Sequence, residues 1–145
     1  MAIHIHKETD CDASIEKVFA YVTDYRNVGE WLYGVSKFEP ITEIDRGVGA
    51  TFDGTINLGA TLHSTIKTTA FEEGKLFEMD SIKGFKNTSR WSFESLGADK
   101  TRIVADVSYS LPGGIAGKAL GKVIEPFVKI AVKHSSEHLA QHAAS

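Results

Sequence analysis

Cysteine is almost missing from this chain of 145 residues: Cys11 stands alone, so no internal disulfide can staple the fold. Stability must come from a core, and at 42% hydrophobic a chain of this length can bury one and enclose a cavity, as a single domain over residues 1–145. Cys11 lies between Asp10 and Asp12, whose charges disfavour a thiolate, so it reads as an ordinary small residue and not as a nucleophile. Long hydrophobic runs are also lacking. The richest tract, 115–132, is broken by Lys118, Lys122, Glu125 and Lys129 and cannot lie in hydrocarbon as a spanning helix. No positive excess exists either: 16 Lys and Arg against 19 Asp and Glu give a net charge of -3, which disfavours nucleic acid as a partner. The three prolines are scattered, and no linker, repeat or low-complexity tract divides the chain. The opening Ile3-His4-Ile5-His6-Lys7 is unlike a secretory apolar run, and with the lone cysteine it points to a cytoplasmic protein. No P-loop, dinucleotide fingerprint or nucleophile elbow occurs.

What is present is periodicity. Ile3 and Ile5 alternate with His4 and His6, which predicts a strand ending near Asp10. Ile15, Val18, Phe19 and Val22 then recur at helical spacing behind Ser14, a cap, with Glu16 where the helix dipole favours an acid. Asp24 caps a second short helix whose buried side is Tyr25, Val28 and Trp31. From Val35 the period becomes two. Phe52, Gly54, Ile56 and Leu58 share one face, as do Leu62, Ser64 and Ile66, then Phe77, Met79 and Ser81. Two further strands follow, one bearing Phe85, Asn87, Ser89, Trp91 and Phe93, the next Thr101, Ile103, Ala105, Val107 and Tyr109. Links as short as Leu58-Gly59-Ala60, Glu73-Gly74-Lys75 and Gly97-Ala98-Asp99 leave no room for crossover helices, so the strands form an antiparallel meander with one apolar face needing a cover. That cover is the segment after Pro112-Gly113-Gly114, where Leu120, Val123, Ile124, Phe127, Ile130 and Ala131 form an apolar stripe. Pro126 predicts a break, and Gly113, Gly117 and Gly121 permit either close packing or a movable gate.

A strand, two small helices, a six-strand meander and a long closing helix resemble the START-like helix-grip (SRPBCC) superfamily, in particular its polyketide cyclase/dehydrase and lipid-transport branch, over nearly the whole chain. The resemblance implies an α+β helix-grip fold: a curved antiparallel sheet of about seven strands, with the C-terminal helix over its concave face. It also implies a cavity between sheet and helix for a small hydrophobic or amphipathic ligand, such as a lipid, a polyketide-like aromatic or an isoprenoid quinone. Ser64, Asn87, Ser89 and the Tyr109 hydroxyl would each cost about 1–3 kcal/mol if stranded in a closed core, so either neighbouring groups satisfy them or they line a wet or ligand-filled cavity, and the resemblance implies the cavity. The expected lining is Phe52, Ile56, Ser64, Ile66, Phe77, Met79, Asn87, Ser89, Trp91, Val107 and Tyr109 from the sheet. Leu120, Ile124, Phe127, Ala131 and His134 complete it from the helix, with His134 as a polar anchor at one end.

Two rivals to ligand carriage remain. One is a cyclase/dehydrase-type enzyme in which Tyr109, Asn87, Ser89 or His134 donates protons or hydrogen bonds to an enolate. In aromatase/cyclase relatives an arginine inside the pocket helps to steer cyclisation, whereas here the strand phase turns Arg90 outward with Glu94, Arg102 and Asp106, as surface charge pairs. The other is a regulatory module that acts on protein partners, as some helix-grip relatives do. No metal is expected, since neither His134, His138 and His142 nor His4 and His6 have a third ligand at recognisable spacing, and no cofactor is expected. Lys118, Lys122, Lys129 and Lys133 read as a solvated helix edge that is compatible with transient contact at an anionic membrane surface. Oligomeric state has no signature in the sequence.

Overall fold

The computed structural model describes residues 2–145. In chain order it contains β1 (Ala2–Cys11), α1 (Ile15–Val22), a 3-10 turn (Tyr25–Asn27), α2 (Val28–Trp31), β2 (Val35–Pro40), β3 (Thr51–Asn57), β4 (Thr61–Glu72), β5 (Leu76–Gly84), β6 (Asn87–Gly97), β7 (Lys100–Ser110) and α3 (Gly114–Ala144). Local chemistry sets the first turns. Ser14 Oγ accepts the Lys17 amide at 3.2 Å and starts α1, which buries Val18, Phe19 and Val22. The Asp24 carboxylate accepts the Arg26 amide at 3.1 Å and its guanidinium at 2.7 Å, tightening the turn that delivers Val28 and Trp31 to the interior.

All strands pair antiparallel in one seven-stranded sheet of order β1-β7-β6-β5-β4-β3-β2. The first strand lies beside the last, with Ile3 opposite Tyr109 and Cys11 opposite Thr101. β1 and β2, successive strands in the chain, therefore occupy opposite edges, and residues 12–34 must cross from one to the other. Cys11 is buried against α3, its thiol donating to the Ala140 carbonyl at 3.1 Å; burial and Asp12 push the thiol pKa up. Phe85 lies in the turn between β5 and β6, just outside the strand expected to carry it.

On the outer face, Asp106 Oδ1 holds both His4 Nε2 at 3.2 Å and His6 Nδ1 at 2.7 Å, while His6 Nε2 meets Glu8 at 2.9 Å. Asp106 is thus engaged by β1, and Arg90, which faces it in register, pairs instead with Glu78 of β5 at 3.2 Å. Arg102 likewise turns from Glu94, opposite it on β6, to Asp10 of β1 at 3.4 Å.

The expected break at Pro126 is absent: α3 is a continuous helix of 31 residues with Pro126 inside it. Pro126 and Lys122 both face solvent, so the carbonyl left without its helical donor is on the hydrated side of the helix, where a proline does least harm. The phase of the apolar stripe also differs from expectation. Val123, Phe127 and Ile130 are 44%, 37% and 42% exposed, while the buried side runs through Gly117, Gly121, Ile124, Val128, Ala131 and Val132 to Leu139. Small residues let the helix descend close to the β7–α3 connection: a Cβ on Gly117 would lie 1.7 Å from the Pro112 carbonyl oxygen, and one on Gly121 would lie 2.7 Å from Leu111 Cδ1. Close approach accounts for these two glycines.

Gly117→Ala therefore sets a helix-propensity gain of about 1 kcal/mol against a clash with backbone. We expect the clash to win, lowering the urea midpoint. Gly29→Ala, with nothing within 4 Å of its added methyl group, should hold or raise it. Hydrogen bonds to Glu8, then to Asp106, raise the His6 pKa above its ordinary 6.5. The stability this contributes is complete below the unfolded value and is lost as pH rises through the folded one. The His6 imidazole resonances should titrate above 6.5, and Glu8→Gln should bring the midpoint down.

Candidate functional site

The buried side chains fall into two groups. One gathers Phe19, Trp31, Phe77, Trp91, Phe93 and Leu139 around α1 and the middle of the sheet. The other gathers Leu58, Leu62, Tyr109, Ile124, Val128 and Ala131 at the end where β3, β4 and β7 meet α3. Both groups contribute walls to a pocket of about 210 Å³. Alternation of side chains along each strand supplies the sheet wall, with Phe52 and Ile56 from β3, Ser64 and Ile66 from β4, and Phe77 and Met79 from β5, while a bulge between Thr68 and Ala70 of β4 brings Phe71 to the same face. Asn87, Ser89 and Trp91 of β6 and Val107 and Tyr109 of β7 extend it. α3 adds Val128, Ala131, Val132 and Ser135, one stripe at helical spacing. The crossing segment forms a third wall with Val22, Tyr25, Val28 and Trp31, and Trp31 meets Trp91 edge to face at 5.2 Å.

Every sheet residue expected to line a cavity lies on this pocket, but the helix contributes differently. Of the five helix residues expected there, Ala131 alone does so. Ile124 is fully buried within the second hydrophobic group, and Leu120 packs half-buried beside it. Phe127 lies outside, over the β3–β4 turn, where a Cβ on Gly59 would come within 2.7 Å of its ring. His134 is exposed and packs against Tyr33 at 5.6 Å between ring centroids, so it is neither an anchor nor a catalytic group of this pocket. Apolar residues mark two sides of α3, and the side facing the pocket carries smaller and more polar ones, including Ser135, whose Oγ accepts the Tyr33 amide at 2.9 Å. Val128 and Val132 follow from Ala131 at helical spacing once that side is chosen.

Sequence periodicity offered no signal for the loop between β2 and β3, yet its Asp45, Arg46 and Gly47 border the pocket. Arg46 is held in place. Its guanidinium donates to Glu73 at 2.7 Å and 2.9 Å and to Thr23 Oγ1 at 3.1 Å, and it stands 4.8 Å from the centre of the Phe71 ring. Arg46, Asp45 and Lys37 are the exposed charged residues of the lining and mark a side that meets solvent.

Polar groups of the sheet wall gather at the other end. Ser64 Oγ donates to the Phe85 carbonyl at 2.8 Å, and Asn87 Nδ2 donates to Ser64 Oγ at 3.1 Å and to the same carbonyl at 2.8 Å. Asn87 faces Tyr109 across the β6–β7 ladder. Among the described residues no hydrogen bond reaches Asn87 Oδ1, Ser89 Oγ or Tyr109 Oη. Burial, then the charge of Glu125, pushes the Tyr109 pKa up, so its phenol stays protonated and can donate a hydrogen bond. No pair of carboxylates faces the pocket, and among the described residues no three His, Cys, Asp or Glu side chains are placed to hold a metal ion.

A curved seven-stranded antiparallel sheet, a long C-terminal helix and two short helices after the first strand define the helix-grip α+β class. The family model described as polyketide cyclase/dehydrase and lipid transport matches residues 2–144, and the chain belongs to that family, within the START-like superfamily. Solved structures show the same fold at low sequence identity. A protein from Thermus thermophilus is 19% identical with a TM-score of 0.82, each chain covered to 97%. The Zhui aromatase/cyclase from a Streptomyces species is 12% identical with a TM-score of 0.84, covering 99% of this chain and 94% of its own. A START superfamily protein from Mycobacterium smegmatis is 16% identical with a TM-score of 0.77, covering 97% of this chain and 96% of its own. No curated protein matches the sequence significantly. No helix of the described residues is long and apolar enough to cross a membrane.

Because Trp31 and Trp91 both border the pocket, an apolar molecule entering it should shift the tryptophan emission of either single-tryptophan variant, Trp31→Phe or Trp91→Phe. Binding measured by calorimetry without change in either emission would place the molecule elsewhere.

Proposed function

We propose that this protein binds and carries a small hydrophobic or amphipathic molecule in the pocket between sheet and α3. One observation carries the reading: side chains of two distinct hydrophobic groups line one hollow of about 210 Å³ walled by aromatic and aliphatic residues. Family membership supports it, and so do solved relatives with the fold, among them a norcoclaurine synthase from Thalictrum flavum in complex with dopamine and hydroxybenzaldehyde. The lone, buried thiol suits a reducing compartment such as the cytoplasm. Lys118, Lys122, Lys129 and Lys133 along exposed α3 suit transient contact with an anionic membrane during loading.

The rival is a cyclase/dehydrase reaction, and what favours it is the Tyr109 phenol on the pocket wall, protonated, without a protein partner and able to donate a hydrogen bond to an enolate. Carriage is preferred because the wall supplies hydrogen-bonding groups but no paired acid and base and no activated nucleophile.

Native mass spectrometry of gently purified protein should show a co-purifying small molecule that is released on denaturation. Protein freed of that molecule should rebind it unchanged. Chemical conversion on rebinding, slowed about tenfold or more by Tyr109→Phe at unchanged affinity, would make the protein an enzyme. Protein that carries nothing and binds no apolar probe would remove the carrier reading.

A further inference from the structure

The polar end of the pocket and its charged rim together limit what can enter. Asn87 has a fixed orientation: the Phe85 carbonyl accepts only, so the amide nitrogen must point to it and the amide oxygen is left facing away. Beside that acceptor stand two hydroxyls without protein partners. Ser89 lies two residues along the same strand face, and Tyr109, only 4% exposed, lies directly across the ladder from Asn87. One acceptor and two hydroxyls therefore lie on the same stretch of the pocket wall. A group that both donates and accepts satisfies them, and an aliphatic end leaves them unpaired at a cost.

Charge acts in the opposite direction. The cationic side chains of the lining are Lys37 and Arg46. Both are committed, Lys37 to Asp53 at 3.1 Å and Arg46 to Glu73 at 2.7 Å. Asp45 adds a negative charge at the same rim. Arg46, stacked on Phe71, lies far from the polar end: Ser64 and Phe71 sit seven residues apart on β4, roughly 23 Å of strand. A carboxylate or sulfonate would lose its hydration and find no free cation. Size is the third limit, because a hollow of about 150 Å³ holds benzene and one of about 210 Å³ takes a molecule somewhat larger. The rings of Trp31, Phe52, Phe77 and Trp91 around the hollow favour a flat one.

Resting on the carrier reading above, we infer that the pocket selects a neutral, flat, one- or two-ring molecule bearing a hydroxyl or carbonyl oxygen, taken oxygen-first by Asn87, Ser89 and Tyr109, and that it rejects anions of the same shape.

Naphthalene, 2-naphthol and 2-naphthoate separate these terms, since at neutral pH they present the same rings bare, with a neutral hydroxyl and with a carboxylate. Titrated into the full chain and followed by calorimetry and tryptophan emission, 2-naphthol should bind about tenfold more tightly than naphthalene despite being less hydrophobic, and 2-naphthoate about tenfold or more weakly than 2-naphthol. Tyr109→Phe combined with Asn87→Leu should abolish the preference for 2-naphthol while leaving naphthalene affinity within about twofold. Ser89→Ala, which changes volume least, should reduce the same preference if the double variant does not fold. Equal affinity for 2-naphthol and naphthalene, binding of 2-naphthoate as tight as that of 2-naphthol, or a preference that survives the substitutions would overturn the inference and leave the carrier reading standing. Failure of all three probes to bind to protein freed of any co-purifying molecule would overturn the inference, and the carrier reading would fall with it only if native mass spectrometry also found nothing carried.

Discussion

The antiparallel pairing of β1 with β7 is the constraint from which the pocket follows. It joins the two ends of the sheet-forming chain at one edge while β2 takes the other, so the segment between β1 and β2 has to traverse the concave side. Without that traverse, one helix would face a seven-stranded curved sheet and leave its far half uncovered. With it, Val28 and Trp31 become a wall opposite β6, and α1 anchors the crossing through Phe19 against Phe93 and Phe71. The pairing is reinforced from both faces, by Ile3 and Ile5 packing inward and by the histidine–carboxylate contacts outside. An edge strand gains from such contacts because one of its sides has no neighbour to hydrogen-bond.

The strands and short helices were legible because their signals are local. Period-two alternation from Phe52 to Leu58 and from Asn87 to Phe93 gives the correct inner face, and Ser14 and Asp24 act as caps where their positions suggest. The hydrophobic periodicity of α3 was ambiguous for a physical reason. Val123, Phe127 and Ile130 are large and apolar yet face outward, whereas Gly117, Ser135, Ser136 and Ala143 are small and face inward. A stripe chosen by hydrophobicity therefore lies around the helix from the stripe that is buried. Arg46 was not legible at all, since a charged loop residue near a pocket has no pattern of its own and is placed by Glu73, distant in sequence and close in space.

Partner choice on the outer face shows a related limit. Facing positions on adjacent strands predict which charges are neighbours, but each side chain on a central strand has neighbours on both sides. Arg90 and Arg102 turn away from their β6–β7 counterparts because other carboxylates lie within reach, one on β5 and one on β1. These are exposed contacts of small individual worth, so the sheet tolerates either choice.

The stretch of α3 that roofs the pocket holds one further consequence. Ala131, between Val128 and Val132, and Ser135, one turn further on, present short side chains to the pocket, and neither takes part in strand pairing. Lengthening Ala131 by a methyl or two would subtract from the interior directly, whereas the same change on a strand would also disturb a ladder. The α3 wall is thus the side from which the hollow is resized step by step, one residue at a time, while the sheet stays as it is.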